Sequence, residues 1–247
     1  MTTVYLVRHG QTDTNIFNGI NGSASNQPLN ETGLEMAANL TAVFENVPLD
    51  AIYASTLTRA IQTAEGVRGT RDMEIKTDAD LCEIDFGYMD GMSGKEAAVA
   101  YPQESWIWNR HAERFQPPGS SESLKSFRAR VTKAFLRIVR ENRGKRVAVV
   151  GHGLAFLLLM GKLLGVRLHA YRLMNFLSNT GYCVLQIEDD GHVYMDALEH
   201  REHLKPGWEL PQRRLTARYR RVRREGPRRV FYAPLKMRKK EQKTYEN

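Results

Sequence analysis

VYLVRHG, residues 4–10, joins an apolar run to Arg8, His9 and Gly10, and VAVVGHG, residues 147–153, repeats the pattern with His152. Each apolar run has the length and the β-branched content of a buried strand. Ligands of open α/β sheets bind at the carboxyl ends of parallel strands, so we expect the two histidines to share one site. An arginine next to one of them favours a phosphate ligand.

Strand-like and helix-like segments alternate along the chain. Short β-branched or aromatic runs predict strands at 3–7, 51–54, 147–150 and 181–187. Apolar periodicity predicts helices at about 31–46, 57–68, 122–142 and 154–165. This alternation predicts an α/β fold in which a mostly parallel sheet is flanked by helices on both faces.

The chain divides into a predicted catalytic domain, residues 1–199, and a basic C-terminal extension, residues 200–247. Glycines and prolines interrupt the domain at 88–120, where we expect a helical insertion that packs its aromatic rings on the body. One edge of this insertion is expected to form a lid over the site. The insertion carries four ring side chains, Trp106, Trp108, His111 and Phe115.

Residues 8–15 read R-H-G-x-T-x-x-N and end at Asn15. Further motif residues follow at 28–37, 55–64, 81–91, 119–124, 151–153 and 179–180. Over about residues 1–199, this series resembles the histidine phosphatase superfamily, which includes the cofactor-dependent phosphoglycerate mutases and the fructose-2,6-bisphosphatases. The resemblance implies a phosphoglycerate mutase-like fold and phosphoryl chemistry.

His9 is the predicted nucleophile. An imidazole attacks phosphorus only when it is neutral, with one nitrogen free and the other held as a donor. The turn at Gly10 allows a backbone carbonyl to hold that second nitrogen. Arg8 and Arg59 supply guanidinium groups whose geometry suits the phosphate oxygens, on which negative charge develops during transfer.

Four further residues complete the predicted phosphate site. The resemblance implies that His152 binds the phosphoryl oxygens rather than attacking, and that Asn15 donates its side-chain amide in the same pocket. The backbone amide that follows Gly153 is expected to add a donor at the start of a helix. Gly22 is assigned to the same substrate-binding group.

Glu83 is the predicted general acid, because the resemblance places the proton donor on the Leu-x-Glu-x-x-x-Gly motif. Cleavage of the P–O bond leaves an alkoxide that needs a proton. The pocket must therefore keep this carboxyl group protonated near neutral pH, which burial beside anionic groups can achieve. By reversibility, the same residue then activates the water that hydrolyses the phosphohistidine.

These residues predict a hydrolase that acts on a small phosphorylated metabolite through a phosphohistidine intermediate. The main alternative is a phosphoglycerate mutase. Thr12 and Thr14 stand where typical mutases have Ser and Trp, and mutases resemble one another in a longer insertion than the one between Glu83 and Glu122. Both departures favour a broad-specificity phosphatase.

Two remote alternatives belong to other classes of protein. Gly-x-Gly at 151–153 opens a dinucleotide-binding fingerprint, but Phe156 occupies the third glycine position. A binding module without activity is the other alternative, although every position that the chemistry needs is occupied. The sequence has no group of His, Asp and Glu at metal-ligand spacing, so neither a metal nor a cofactor is expected.

The two cysteines, Cys82 and Cys183, form no disulfide framework, which favours a reduced, cytoplasmic setting. The sequence does not begin with a secretory signal pattern. Its longest apolar stretch, residues 154–166, is too short to span a bilayer and predicts a buried helix.

The net charge of +8 arises in the extension. Residues 200–247 contain sixteen Lys or Arg against five Asp or Glu, whereas residues 1–199 have a net charge of −3. Leu215, Tyr219 and Val222 fall at helical spacing among arginines, which predicts a basic helix. This helix is expected to pack on the body or on a neighbouring subunit, or to bind an anionic partner such as nucleic acid, an anionic membrane or an acidic protein. Three rings are available for stacking or anchoring, Trp208, Phe231 and Tyr232.

Overall fold

The computed structural model describes residues 1–197 and 199–210. A six-stranded sheet has the order β3-β2-β4-β1-β5-β6. Its strands are β1 (Thr2–Arg8), β2 (Ala51–Ala54), β3 (Ile75–Thr77), β4 (Arg146–Gly151), β5 (Tyr182–Ile187) and β6 (Val193–Met195). The first four strands in this order pair in parallel, and β5 and β6 pair antiparallel at one edge. The predicted α/β fold with a mostly parallel sheet is confirmed.

Helices cover both faces of this sheet. They are α1 (Asp13–Ile16), α2 (Glu31–Phe44), α3 (Thr58–Arg68), α4 (Gly94–Ala100), α5 (Pro102–Arg110), α6 (Leu124–Glu141) and α7 (Gly153–Leu163). Side chains alternate along β1, so Val4 and Leu6 pack in the cluster that contains α6 and α7, while Val7 packs in the cluster that contains α2 and α3. None of these helices is long and apolar enough to cross a membrane.

The pairing of β1 with β4 sets the position of the two histidines. Arg8 pairs with Gly151 in the parallel register, and the amide of His9 donates to the carbonyl of Gly151 at 2.9 Å. Both strands therefore end at the same level of the sheet. His9 and His152 follow these ends directly and leave the sheet side by side.

The insertion at 88–120 forms α4, α5 and a short 3-10 helix (Ala112–Arg114). Pro102 begins α5, where its fixed φ suits the first helical position. Trp108 packs edge-on against Tyr171 of the body with 5.7 Å between ring centroids, as expected for a ring that docks on the body. The same expectation is wrong for Trp106, which is 57% exposed because it lies on the solvent side of α5.

Residues 200–210, which we assigned to the extension, lie against the catalytic domain. His200 exchanges backbone hydrogen bonds with Tyr182 and stacks on its ring at 4.9 Å. The side chain of Lys205 forms an ion pair with Glu35 on α2, and the amide of Leu210 donates to Ser178 Oγ at 3.0 Å. The predicted basic helix with Leu215, Tyr219 and Val222, together with Phe231 and Tyr232, lies outside the described residues.

Candidate active site

The rings of His9 and His152 lie 5.2 Å apart between centroids, with an angle of 55° between their planes. Both side chains are buried. Their position after β1 and β4 follows from the parallel register, which brings residues 143 positions apart in the chain into one site. The sequence predicted that His9 and His152 lie close together, and the structure shows that they do.

His9 has the hydrogen bond expected of a neutral nucleophile. Its Nδ1 lies 2.7 Å from the carbonyl oxygen of Gly10, so this nitrogen carries the proton and Nε2 keeps a free electron pair. Burial lowers the pKa of His9 well below its ordinary value, and the nearby Arg59 and Arg8 guanidiniums lower it further. A Cβ at Gly10 would lie 2.7 Å from the backbone oxygen of Gly33, so this close approach requires glycine.

His152 is held by a hydroxyl group. Its Nε2 lies 2.7 Å from Ser55 Oγ, which also accepts from the amide of Leu57 and lies 3.3 Å from Cys82 Sγ. Burial lowers the pKa of His152 well below its ordinary value. Its Nδ1 is buried and has no hydrogen-bond partner among the described residues. The single hydroxyl proton of Ser55 can go to Cys82 Sγ or to His152 Nε2. When it goes to Nε2, the ring proton is on Nδ1, which is then available as a donor.

Arg8 reaches the site with part of its guanidinium free. Its Nη1 donates to the carbonyl of Leu177 at 2.6 Å, while Nε is buried without a partner among the described residues. Burial lowers the pKa of Arg8 to about 10, so the group is still a cation at neutral pH. A Cβ at Gly153 would lie 3.2 Å from this Nε. Gly153 therefore leaves the guanidinium room at the start of α7.

Arg59 is buried and uses two of its nitrogens within the protein. Nη1 donates to the carbonyl of Ser25 at 2.8 Å, and Nη2 donates to the carbonyl of Gly22 at 2.9 Å. The amide of Gly22 donates to Asp90, so Gly22 has both backbone groups occupied. Neither Arg59 nor Gly22 lines the cavity described below. Arg59 thus anchors the loop that contains Gly22, and its Nε is buried without a hydrogen-bond partner among the described residues. The direct phosphate contact expected of Arg59 and Gly22 stays a prediction.

Asn15 has its side-chain amide oriented by its neighbours. The carbonyl oxygen Oδ1 accepts from the backbone amide of Thr12 at 3.1 Å and from Asn179 Nδ2 at 3.2 Å. This orientation leaves Nδ2 as the group available to a ligand, and Asn15 lines the cavity. Asn179 also donates to the carbonyls of His9 and Gly10. It thus joins Asn15 to the turn at His9, a role that sequence reasoning did not assign.

The Glu83 carboxylate is buried next to the two histidines. Its Oε1 accepts from the amide of Ile84 at 3.0 Å, and its Oε2 accepts from the amide of Leu154 at 2.9 Å. Burial raises the pKa of Glu83, although these two hydrogen bonds and the guanidiniums of Arg59 and Arg8 act in the opposite direction. We expected the amide that follows Gly153, that of Leu154, to bind phosphate. The structure corrects this assignment, because that amide donates to the Glu83 carboxylate.

Arg130 on α6 supports the segment that carries Glu83. Its Nε and Nη2 form a bidentate ion pair with Glu122 at 2.7 and 2.8 Å. Its Nη1 donates to the carbonyls of Asp80 and Cys82 at 3.0 and 3.1 Å. Glu122 is part of a sequence motif, but Arg130 was not predicted to contribute, because the local sequence does not distinguish it from the other arginines of α6.

A cavity of about 370 Å³ lies over these groups. The reaction centre contributes Arg8, His9, Asn15, Glu83 and Gly153 to its lining. The insertion and its flanks contribute a second set, which includes Met89, Ala98, Ser105, Trp108, Asn109 and Phe115. Residues of the insertion thus form part of the cavity wall.

In the part of the chain that the structure describes, one group of metal-type ligands comes together. Glu188, Asp190 and His192 place ligand atoms within 4.8 Å of one another in the turn between β5 and β6. The prediction that the sequence has no such group at metal-ligand spacing is therefore wrong, because this turn brings alternate residues together. None of these three residues lines the cavity. Among the described residues, the charged groups of the cavity itself are Arg8 and Glu83.

Comparison with known families agrees with this geometry. A family model described as the histidine phosphatase superfamily (branch 1) matches residues 4–197. The chain belongs to the histidine phosphatase superfamily. The resemblance read from the sequence motifs is therefore confirmed, and it places the chain among phosphatases and mutases.

Relatives within the superfamily carry both kinds of name. Phosphoserine phosphatase 1 of Hydrogenobacter thermophilus is 30% identical over 198 residues, which are 79% of this chain and 91% of that protein. Phosphoglycerate mutase-like protein 4 of Arabidopsis thaliana is 31% identical over 152 residues, 61% of this chain and 66% of that protein. The solved structure of Bacillus stearothermophilus YhfR superposes with a TM-score of 0.77 at 29% identity, covering 83% of this chain and 100% of that one.

Proposed function

We propose that this protein hydrolyses phosphomonoesters through a phosphohistidine intermediate on His9. The observation that carries the proposal is the hydrogen bond between His9 Nδ1 and the carbonyl of Gly10 at 2.7 Å. It makes Nε2 the nitrogen with the free electron pair, in a ring that burial keeps neutral. A neutral, oriented imidazole below a cavity lined by a cation and an amide donor suits attack on phosphorus.

In the first step, His9 Nε2 forms the N–P bond while the P–O bond to the leaving alcohol breaks. Glu83 protonates the departing oxygen, for which its raised pKa is suited. In the second step, the Glu83 carboxylate takes a proton from water, and the resulting hydroxide attacks phosphorus. The N–P bond breaks, so inorganic phosphate leaves and His9 is neutral again.

The remaining groups of the site stabilise the transferring phosphoryl group. Negative charge on its equatorial oxygens is met by the free edge of the Arg8 guanidinium and by Asn15 Nδ2. His152 adds an N–H donor when Ser55 donates to its Nε2. Arg59 contributes positive potential from behind the loop that it anchors.

Phosphoryl transfer within a phosphoglycerate is the second candidate, because one relative is named as mutase-like. A mutase returns the phosphoryl group from histidine to substrate, whereas a hydrolase passes it to water. Incubation with 3-phosphoglycerate separates the two. We expect inorganic phosphate to accumulate, and accumulation of 2-phosphoglycerate would favour the mutase.

The test of the intermediate is rapid quenching with radiolabelled substrate. We expect acid-labile, base-stable label on the wild-type chain and none on His9→Ala. His169→Ala, which removes an exposed histidine, is the matched control and should label like wild type. Full activity of His9→Ala would contradict the proposal, and so would loss of wild-type activity on treatment with a chelator.

A further inference from the structure

The cavity above the reaction centre has an apolar wall. We use this name for Ile20, Phe86, Met89, Trp108, Phe115 and Phe176, all of which line it. Trp108 contacts both Phe86 and Phe115 edge-on, at 5.8 and 4.6 Å between centroids, so part of the wall is a packed aromatic surface. Phe176 is 39% exposed, an unusual position for an apolar ring beside a catalytic arginine.

The polar residues of the same region are uncharged. Asn21, Ser105 and Asn109 line the cavity with the wall. Among the described residues that line the cavity, the charged types are Arg8 and Glu83, and both belong to the reaction centre. Arg172 rests its guanidinium on the Trp108 ring, with Cζ 5.6 Å from the centroid, and it does not line the cavity.

This composition disfavours a substrate that carries a second anion. A carboxylate that leaves water for such a cavity needs a cation or several donors to replace its hydration, and the wall offers neither. The side chains of Asn21, Ser105 and Asn109 already donate hydrogen bonds within the protein. Arg8 is the cation that the phosphoryl group itself requires. An apolar or aromatic group gains from the same environment, because it removes apolar surface from water on both sides.

We propose that the leaving group of the natural substrate is an uncharged alcohol or phenol with an apolar body that packs on this wall. The proposal rests on the proposed hydrolase function. It separates this protein from the phosphoserine and phosphoglycerate that its relatives' names mention, since both of those compounds carry a carboxylate.

The first test compares phenyl phosphate with 4-carboxyphenyl phosphate in the full chain. The two differ by one carboxylate. 4-Carboxyphenol is a slightly better leaving group than phenol, so intrinsic reactivity alone would favour 4-carboxyphenyl phosphate. We expect kcat/KM to be at least about tenfold higher for phenyl phosphate. The same order is expected for 2-phenylethyl phosphate against 3-phosphoglycerate. Equal or higher kcat/KM for the carboxylated compounds would overturn the proposal.

The second test introduces the missing cation. Ala98 on α4 is exposed to solvent and lines the cavity, so Ala98→Lys places an ammonium group near the wall without disturbing the core. Val99→Lys is the control, because Val99 is 83% exposed on the same helix and does not line the cavity. We expect Ala98→Lys to reduce the preference for phenyl phosphate by about tenfold and Val99→Lys to leave it unchanged. An unchanged preference in Ala98→Lys would show that the leaving group does not contact this wall.

Different results contradict the hydrolase function and the leaving-group preference. If the proposed hydrolase function is wrong, none of these esters releases phosphate, or release persists in His9→Ala. If only the leaving-group proposal is wrong, phosphate release depends on His9 and the carboxylated esters are the better substrates.

Discussion

Among single residues, His9 is held by the backbone carbonyl of the residue that follows it. The carbonyl of Gly10 fixes the proton on Nδ1, and Asn179 donates to the same carbonyl and to that of His9. His152 depends instead on a side chain, Ser55, that comes from another part of the chain. Burial favours the neutral form of both imidazoles, but only the orientation of the His9 ring is fixed by the neighbouring backbone.

The neutrality of His9 predicts a pH dependence of stability. Its pKa is lowered in the folded state, so below the ordinary value of about 6.5 the unfolded chain takes up a proton that the folded chain does not. Wild type should therefore lose about 1.4 kcal/mol more per pH unit than His9→Asn as pH falls from 6.5 towards the lowered pKa. Urea unfolding of both proteins across this range measures the difference.

His169→Asn is the control for that experiment, because it removes a histidine that is exposed. It should follow wild type with pH. If the unfolding free energies of wild type and His9→Asn stay parallel below about pH 6.5, then His9 is not held neutral in the folded protein.

The role of Glu83 predicts a dependence on the leaving group. Glu83→Gln should lower kcat/KM by about 10²–10⁴ for alkyl phosphates and far less for p-nitrophenyl phosphate, whose leaving group needs little protonation. kcat/KM reports the steps up to phosphohistidine formation. The second step still needs the carboxylate, so this variant should give a burst of p-nitrophenol and accumulate phosphohistidine.

Equal slowing of both ester classes, without a burst, would argue against proton transfer by Glu83. A structural role would produce that result, because the carboxylate also accepts two backbone amides.

At the scale of elements, α6 holds the segment that leads from β3 to Glu83. Arg137 pairs with Asp78 and Asp80 at the start of this segment. Arg130 contacts its end, through the carbonyls of Asp80 and Cys82, and is itself held by Glu122. The segment that carries Glu83 is therefore held in part by a helix that contributes no side chain to the cavity lining.

Arg130→Met should affect both stability and proton transfer. Removal of the guanidinium leaves the Glu122 carboxylate and two carbonyls without their partner, at a cost of about 1–3 kcal/mol in unfolding free energy. Because Glu83 is then less well placed, we expect the penalty on alkyl phosphates to exceed that on p-nitrophenyl phosphate. Leaving-group series with purified variants measure this.

Arg137→Met is the matched control, since it removes an arginine from the same helix that holds the other end of the segment. It should lower stability without changing the leaving-group dependence. The same leaving-group effect in both variants would mean that Arg130 has no specific influence on Glu83.

At the scale of the whole molecule, charge is divided between the domain and the end of the chain. Residues 211–247 contain fourteen Lys or Arg against three Asp or Glu, and residues 200–210 lie on the domain through contacts with Tyr182, Glu35 and Ser178. The structural boundary of the docked chain therefore falls at or after residue 210, later than residue 199.

Truncation after Leu210 should leave kcat/KM for phenyl phosphate within about twofold of wild type, because the cavity lining is retained. Any binding of single-stranded RNA by the full chain at low salt should weaken steeply as salt increases and be lost in the truncated chain. Fluorescence anisotropy measures both. Absence of binding by the full chain, together with a change of oligomeric state on truncation, would favour self-association instead.

Much of the fold could be predicted from the sequence, because strands and helices produce local patterns of apolar residues. The apolar runs 4–7 and 147–150 occupy the sheet as predicted, and the helix expected at about 122–142 is α6. The exposed Trp106 shows where such reasoning fails. Trp108, two residues away, is partly buried, and only the packing of α5 on the body decides which of the two rings contacts the body.

Short contiguous sequence patterns carry the strand ends, His9, His152 and Glu83, so these could be predicted without a structure. The polar atoms that lack a partner within the protein, and so can bind a substrate, depend on how distant segments pack together. Arg59 Nη1 and Nη2 donate to loop carbonyls, and the Leu154 amide donates to Glu83. Buried donors form hydrogen bonds with the acceptors that the fold brings next to them. The uncharged wall was likewise invisible in the sequence, because it is assembled from separate segments that meet only in the fold.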